Sequence, residues 1–292
     1  MLAIIIPYFN HIGYKNRLIN CSATYHKYKS LGADVFVYEL SATNTFKLDF
    51  AAYKLHSKSV LFHKERIINY AIETLPPRYD KVAWIDADVQ PFDPDWPSLV
   101  EKALNSYDII QPFGVMHDLY QAGEDCEPDV TQSVAAKTPI VVDPTCWPGY
   151  AWAARRESMC NGLYDKSIIG GGDLVFAEAI LGVNSRWMNM INTDAEHDYL
   201  DWRYKLRRFK IGHIDTEMYH MWHGDLVDRK YYERIWMLRN HEFNPALDLV
   251  TNSCGMYEFA GNKPQLERRV LDYFTGRKED GEQPVEAGIK VI

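Results

Sequence analysis

The chain of 292 residues has no apolar run near the ~20 residues of a membrane-spanning helix. Cysteine is scarce: Cys21, Cys126, Cys146, Cys160 and Cys254 are scattered, with no Cys-x-x-Cys pair. An odd number without zinc-type spacing argues for reduced thiols and a cytoplasmic setting. Positive charge is short as well, with 32 Lys and Arg against 40 Asp and Glu and a net charge of −8. That argues against a general nucleic-acid binder, though a local basic groove stays open. The opening segment Met1-Leu2-Ala3-Ile4-Ile5-Ile6-Pro7 lacks the basic region of a signal peptide and reads as a first core strand. No internal repeat or low-complexity segment is present. The composition, 47% hydrophobic and 25% charged, suits one large globular domain or two small ones. The 19 Tyr and 8 Trp fit an aromatic core and equally a cleft that stacks on rings.

The pattern alternates strand and helix. An apolar strand at residues 2–6 precedes a helix that follows Gly13 and runs through about Leu31, stopped by Gly32. A second strand follows at 34–40, so the first forty residues read as a βαβ unit with parallel pairing. In residues 64–75, Ile67, Ile68, Ala71, Ile72 and Leu75 share one helical face, ended by Pro76-Pro77. Val82 to Ile85 is then a short buried strand that runs into Asp86-Ala87-Asp88. On extended chain, residues i and i+2 face the same way. Two carboxylates side by side at a strand end repel unless a cation lies between them. A hard divalent ion carrying a phosphate is the usual solution; a solvated turn is the plain alternative. A helix near 98–104 and a strand at 108–111 continue the alternation. Residues 114–142 read as a loop or insertion.

Further on, Trp147, Tyr150 and Trp152 are candidates to stack on the rings of a bound ligand. Gly170-Gly171-Gly172-Asp173 opens a helix over 174–181, and the glycines allow close backbone approach. Asp173 is either a catalytic acid–base group or merely a helix cap. Arg203, Lys205, Arg207, Arg208 and Lys210 form a basic run, a solvated face or a phosphate groove. His220 and His223 have a spacing that lets both meet one metal. A helix over 228–239 and another over 265–274 precede a polar segment from Gly276 to the end, expected to be mobile.

Taken in order, these motifs resemble the GT-A glycosyltransferases, most closely the β-1,4-galactosyltransferase-like branch. Ile6-Pro7-Tyr8-Phe9 is similar to that branch's early strand end. Residues 62–69 resemble its Phe-Asn-Arg-x-Lys-Leu-Leu-Asn segment, with Lys64 in place of an Arg. Asp86-Ala87-Asp88 looks like its Asp-Val-Asp. Gly171-Gly172-Asp173 looks like its Gly-Gly-Glu-Asp, one acid shorter, and residues 220–223 look like its Met-x-x-His. The resemblance spans roughly residues 2–225. It implies an α/β GT-A fold, a Rossmann-like mixed sheet flanked by helices, as a single large domain with a C-terminal helical segment. Residues 1–115 would bind the nucleotide sugar, 116–245 would supply acceptor and metal contacts, and 246–292 would form a helical extension. It also implies a nucleotide-diphosphate sugar donor, with UDP expected, and Mn²⁺ (or Mg²⁺) on Asp88, His220 and His223. Pro7, Tyr8, Phe9, Glu39, Lys64, Asp86, Trp147, Gly171 and Gly172 would contact the donor, with Asp173 as the base of an inverting transfer. The acceptor region is not legibly similar. A glycan is the default acceptor, and a modified base in DNA the alternative, supported only by the basic run. No membrane anchor or stem is expected, so a soluble cytoplasmic enzyme of bacterial or viral type fits. A sugar nucleotidyltransferase would instead carry a Gly-rich, basic loop where Tyr8-Phe9-Asn10-His11 stand. A non-catalytic binding module would not need acids, base and histidines together.

Overall fold

The computed structural model describes residues 1–121, 126–143, 145–231 and 233–281. β1 (Leu2–Phe9) is buried along its whole length. α1 (Lys15–Ser30) and β2 (Asp34–Ser41) follow, and β2 lies parallel to β1, with Ile4 opposite Val35. β3 (Tyr53–His56) extends this parallel set. α2 (Lys64–Thr74) then returns the chain to β4 (Lys81–Ile85), which pairs with the other edge of β1. After β5 (Val89–Pro91) comes α3 (Trp96–Ala103), two residues earlier than the sequence pattern places it. Pro97 sits in its first turn, where a missing N–H costs nothing.

β6 (Ile109–Gln111) leads into β7 (Val115–Asp118), β8 (Asp129–Ser133) and β9 (Cys146–Trp147). Residues 114–142 were expected as a loop or insertion; instead they supply two strands of a second sheet. These strands are short and polar on one face, too brief for a period-two pattern to stand out. β10 (Ala151–Arg155) inserts antiparallel between β4 and β6. α4 (Gly172–Ile180), α5 (Arg186–Ile191) and α6 (Thr193–Arg203) precede β11 (Ile211–His213) and β12 (Glu217–His220). The expected helix over 228–239 is broken. A 3₁₀ turn at Leu226–Arg229 ends at Lys230, whose φ is 45°, and α7 (Glu233–Asn240) starts afresh. α8 (Pro245–Asp248), the hairpin of β13 (Leu249–Thr251) and β14 (Tyr257–Phe259), and α9 (Pro264–Thr275) complete the order.

The main sheet has seven strands in the order β11-β6-β10-β4-β1-β2-β3, and the second has five in the order β5-β12-β7-β8-β9. The mixed sheet flanked by helices is as expected. β1 and β4 are apolar on both faces because both faces are covered. Ala3, Ile5, Val82 and Trp84 pack with Ile67 and Ile68 of α2, Phe176 of α4 and Leu266 of α9. Ile4, Ile6, Ala83 and Ile85 pack on the other face with Tyr28 of α1 and Trp96 of α3. Each Ile, Val, Leu and Phe among them contributes roughly 1.5–3 kcal/mol by leaving water.

The expected mobile tail is corrected at residues 277–281. Arg277 and Glu279 are 7% and 3% exposed. The Asp280 carboxylate accepts from the backbone N–H groups of Lys15 (2.8 Å) and Asn16 (2.7 Å). It therefore caps α1, whose own N-cap residue, Tyr14, makes no capping bond. Residues 282–292 lie outside the described residues.

Candidate active site

A cleft of about 470 Å³ opens at the C-terminal ends of β1 and β4, where α/β sheets bind ligands. Pro7 and Phe9 at the end of β1 line it. Beyond β4 the chain turns at once. Asp86 N–H donates to the Tyr150 carbonyl (2.8 Å), and Val89 N–H donates to the Asp86 carbonyl (3.2 Å). The extended geometry expected for residues 86–88 is thus a turn. Both carboxylates still line the cleft, but each meets different partners.

Asp88 meets the histidines. β12 pairs antiparallel with β5 and parallel with β7, which sets His220 beside Val89 and Asp118. Met221 N–H donates to the Asp88 carbonyl (2.8 Å), so the two segments are tied by backbone as well. His223 Nε2 lies 3.1 Å from Asp88 Oδ2 and 3.1 Å from His220 Nε2, with His220 Nε2 3.6 Å from Asp88 Oδ1. One ligand atom from each of the three residues falls within 4.8 Å of the others, and all three side chains are buried. Asp118 accepts from His220 Nδ1 (2.8 Å), which leaves the Nε2 lone pair facing Asp88 and His223. Tyr150 Oη donates to Asp118 (2.7 Å) from a backbone φ of 74°. A non-glycine residue held there carries strain of roughly 1–3 kcal/mol. Asp88 Oδ1 has no hydrogen-bond partner among the described residues. An orphaned buried carboxylate oxygen beside two imidazole nitrogens is a donor set that fits Mn²⁺.

Around this trio lies a shell that the sequence pattern did not reveal. Arg17 and Arg277 share the Glu279 carboxylate at 3.1 and 2.5 Å, and Glu279 lies 3.7 Å from His223 Nδ1. Arg229 Nη2 is 3.1 Å from His223 Nε2. Burial and then Arg229 push the His223 imidazole down to about 4, against the pull of Asp88 and Glu279. Burial works against the Asp88 charge, yet His223, His220, Arg17 and Arg229 hold its carboxyl below the ordinary value.

The second cluster centres on Lys64, the first residue of α2. Its Nζ lies 2.5 Å from Asp86 Oδ1 and donates to the Asp173 oxygens at 3.0 and 2.8 Å. Burial opposes the ammonium charge, but Asp173, Asp86 and Glu65 outweigh it and raise Lys64 above its ordinary value. Burial, with Asp173 next among the raising causes, pushes the Glu65 carboxyl up to about 8, against the pull of Lys64. Both Glu65 side-chain oxygens are buried without a partner among the described residues. Asp86 is pushed up to about 6, by burial first, despite Lys64. The glycine turn packs on this cluster. Gly170 and Gly171 have φ of 89° and 94°, and a Cβ on Gly172 would fall 2.1 Å from Glu65 Oε1. The helix-cap reading of Asp173 has no support: the cap of α4 is Gly171, and the Asp173 carboxylate faces Lys64.

Of the residues singled out from sequence, Pro7, Phe9, Lys64, Asp86, Asp88, Trp147, Gly171, Asp173, His220 and His223 line one cleft. Tyr8 instead packs into the core on the α1 face. Glu39 accepts from the backbone of Lys47 (2.6 Å) and Leu48 (3.1 Å), fixing the loop after β2. Gly172 is held against Glu65, and Trp152 is a core residue. The basic run lies elsewhere: Arg207 pairs with Asp108 (3.0 Å) and Lys210 lies over Tyr107. None of its five cations lines the cleft. The residues missed are Glu65, Arg17, Asp118, Arg229, Arg234, Arg277 and Glu279. Only Glu65 had a signal, adjacency to Lys64.

No protein-family model matches the chain, and no curated protein matches it. Solved structures do. A β-1,4-galactosyltransferase 7 mutant from Drosophila, in complex with manganese, UDP-Gal and xylobiose, is 13% identical. The match covers 91% of this chain and 96% of that one, with a TM-score of 0.44. Glucosyl-3-phosphoglycerate synthase from Mycobacterium tuberculosis, with Mn²⁺, UDP and phosphoglyceric acid, is 11% identical over 89% and 86%, TM-score 0.40. A 4-diphosphocytidyl-2C-methyl-D-erythritol synthase from Anaerococcus prevotii is 11% identical over 74% and 89%, TM-score 0.36.

Proposed function

We propose that this chain is a divalent-metal-dependent glycosyltransferase of the GT-A class. It moves a sugar from a nucleotide-diphosphate donor, a UDP-sugar, to a hydroxyl of a glycan acceptor, with inversion. One observation carries the reading: a single cleft holds a buried Asp–His–His trio and, apart from it, a carboxylate that Lys64 grips. Asp88, His220 and His223 would hold Mn²⁺, with Mg²⁺ the poorer fit because it prefers oxygen and water. When bound, the ion neutralises charge on the departing nucleoside diphosphate. Arg17, Arg229 and Arg277 line the same cleft and add positive charge. Asp173 is the base that takes the acceptor hydroxyl proton, and Lys64 fixes its orientation. Asp86 accepts a hydrogen bond from donor ribose or sugar, Pro7 and Phe9 border the base, and Trp147 and Gly171 bound the sugar.

In this reading residues 1–115 hold the nucleotide and 116–245 bring acceptor contacts and the histidines. The segment after 246 braces the metal end through Glu279. Among the described residues no helix is long and apolar enough to cross a membrane. A cytoplasmic location belongs to the proposal and rests on the unpaired cysteines. With the basic run away from the cleft, DNA loses the one feature that suggested it.

The test is release of free nucleoside diphosphate from a panel of nucleotide sugars in Mn²⁺. UDP release from one sugar class is expected, abolished by excess chelator. Tight GDP binding without UDP binding would refute the donor assignment. Pyrophosphate release from a nucleoside triphosphate and a sugar 1-phosphate would make the protein a nucleotidyltransferase instead.

A further inference from the structure

Arg234, in the first turn of α7, is a buried guanidinium with no acid partner among the described residues. It is 5% exposed and lines the cleft. Among the described residues its side chain makes one hydrogen bond, from Nη1 to Tyr273 Oη (3.0 Å), and Nε is buried without a partner. Among the other cations of the cleft, Lys64 is compensated by Asp86 and Asp173, Arg17 and Arg277 by Glu279, and Arg186 faces Glu178 at 3.7 Å, while Arg229, on the metal wall, contacts His223. The Arg234 guanidinium lies over the Trp187 and Tyr231 rings, 4.9 and 4.7 Å from their centroids. Ring faces attract the charge, but the in-plane N–H donors still need acceptors. A buried cation without an acid is costly unless a ligand completes it.

Its position says which ligand. A Cβ on Gly170 would lie 3.1 Å from Arg234 Nη1, and one on Gly171 would lie 2.7 Å from Trp187. Arg234 and Trp187 thus back the glycine turn that delivers Asp173. The metal trio belongs to a different wall, built from the turn after β4 and the end of β12. Arg186 lines the same cleft, and its side chain is 77% exposed.

Resting on the glycosyltransferase reading, we propose that the acceptor is an acidic sugar. Its ring covers Trp187, its carboxylate or phosphate takes the open donors of Arg234, and its hydroxyl reaches Asp173. A charge-assisted contact of this kind is worth about ten- to hundredfold in affinity.

The experiment uses the full chain and three probes: glucose, glucuronic acid and glucose 6-phosphate. Binding is measured by calorimetry, and UDP release is measured with each probe as acceptor. The wild type is expected to prefer one or both acidic probes to glucose by about tenfold or more, and the two arms separate carboxylate from phosphate. Arg234→Gln should erase that preference, Arg234→Lys should restore part of it, and UDP–Mn²⁺ binding should stay as in wild type. Equal handling of glucose and both acidic probes by the wild type overturns the proposal without any variant. Equal loss of UDP binding and acidic-probe binding in Arg234→Gln also overturns it, because Arg234 then serves the donor. Acidic-probe binding that depends on Arg234 without any UDP–Mn²⁺ binding leaves the anion site standing and sinks the donor reading alone.

Discussion

Two hollows sit at opposite ends of β4. The one at its N-terminal end, about 590 Å³ against about 470 Å³, is rich in charge. Yet four of its five charged groups, all but the exposed Glu157, are committed. Arg155 donates to the Leu104 (2.7 Å) and Asn105 (2.8 Å) carbonyls. Arg156 donates to the Leu75 (2.8 Å) and Pro76 (3.0 Å) carbonyls, closing the end of α2. Lys81 reaches Asn105, and Asp80 holds the N-terminal ammonium. At the C-terminal end, Asp88 Oδ1, Arg234 Nε and both oxygens of the adjoining Glu65 have no partner among the described residues. Free valence separates the two ends of the strand.

The sharpest way to break this contrast is Asp88→Asn. Divalent binding by calorimetry should be lost, with transfer reduced by more than the ~10–100-fold that outer-sphere changes cost. Retained Mn²⁺ affinity would remove the metal from this end. Next, Asp173→Asn should lower kcat by about 10²–10⁴ while UDP–Mn²⁺ binding holds; near-normal turnover would move the base elsewhere. Glu279→Gln should weaken Mn²⁺ by roughly 10–100-fold, read by titration of the free-ion resonance signal. No change there would make Glu279 a partner of the arginines alone. At the other hollow the outcome should invert. Arg156→Ala should cost about 1–3 kcal/mol of stability in urea melts and leave ligand binding untouched.

The smallest effect concerns pH. The Glu65 carboxyl stands at about 8 in the folded chain against an ordinary 4.5. The folded state therefore keeps a proton that the unfolded chain releases. Stability from this group is full below about 4.5 and lost as pH rises through about 8. Glu65→Gln cannot titrate. The stability of wild type relative to this variant should fall between these limits and level off above them. Parallel melting profiles of the two proteins would contradict the assignment.

Much of the central architecture was legible because it is local. Ile67, Ile68, Ala71 and Ile72 mark a helix, and Val82 to Ile85 mark a strand, without reference to the rest of the chain. The turn at residues 86–89 was misread as extended, since the Tyr150 carbonyl that bends it comes from β10. Asp88 and the two histidines were legible as residue types with metal-binding spacing. That Asp118 would orient His220 was not, because the pairing of β7 with β12 has no local signature. Glu39 was misjudged for a similar reason: its partners, Lys47 and Leu48, lie in a loop whose path no periodicity announces. Glu279 and Arg277 looked like an ordinary polar segment, since a buried charge pair and a solvated one share the same composition.

The cap that Asp280 places on α1 joins residues separated by 264 and 265 positions. During synthesis at roughly 5–20 residues per second, the first helix waits on the order of tens of seconds for its last partner. Over that interval β1, α1 and β2 can pair while Arg17 still lacks Glu279 and His223 lacks its brace. The strands of the sheet are thus synthesised well before Glu279 can reach Arg17 and the neighbourhood of His223. Ribosome stalling before residue 279 should yield protein that is folded by amide-exchange protection of β1 and β4 yet poor at capturing Mn²⁺.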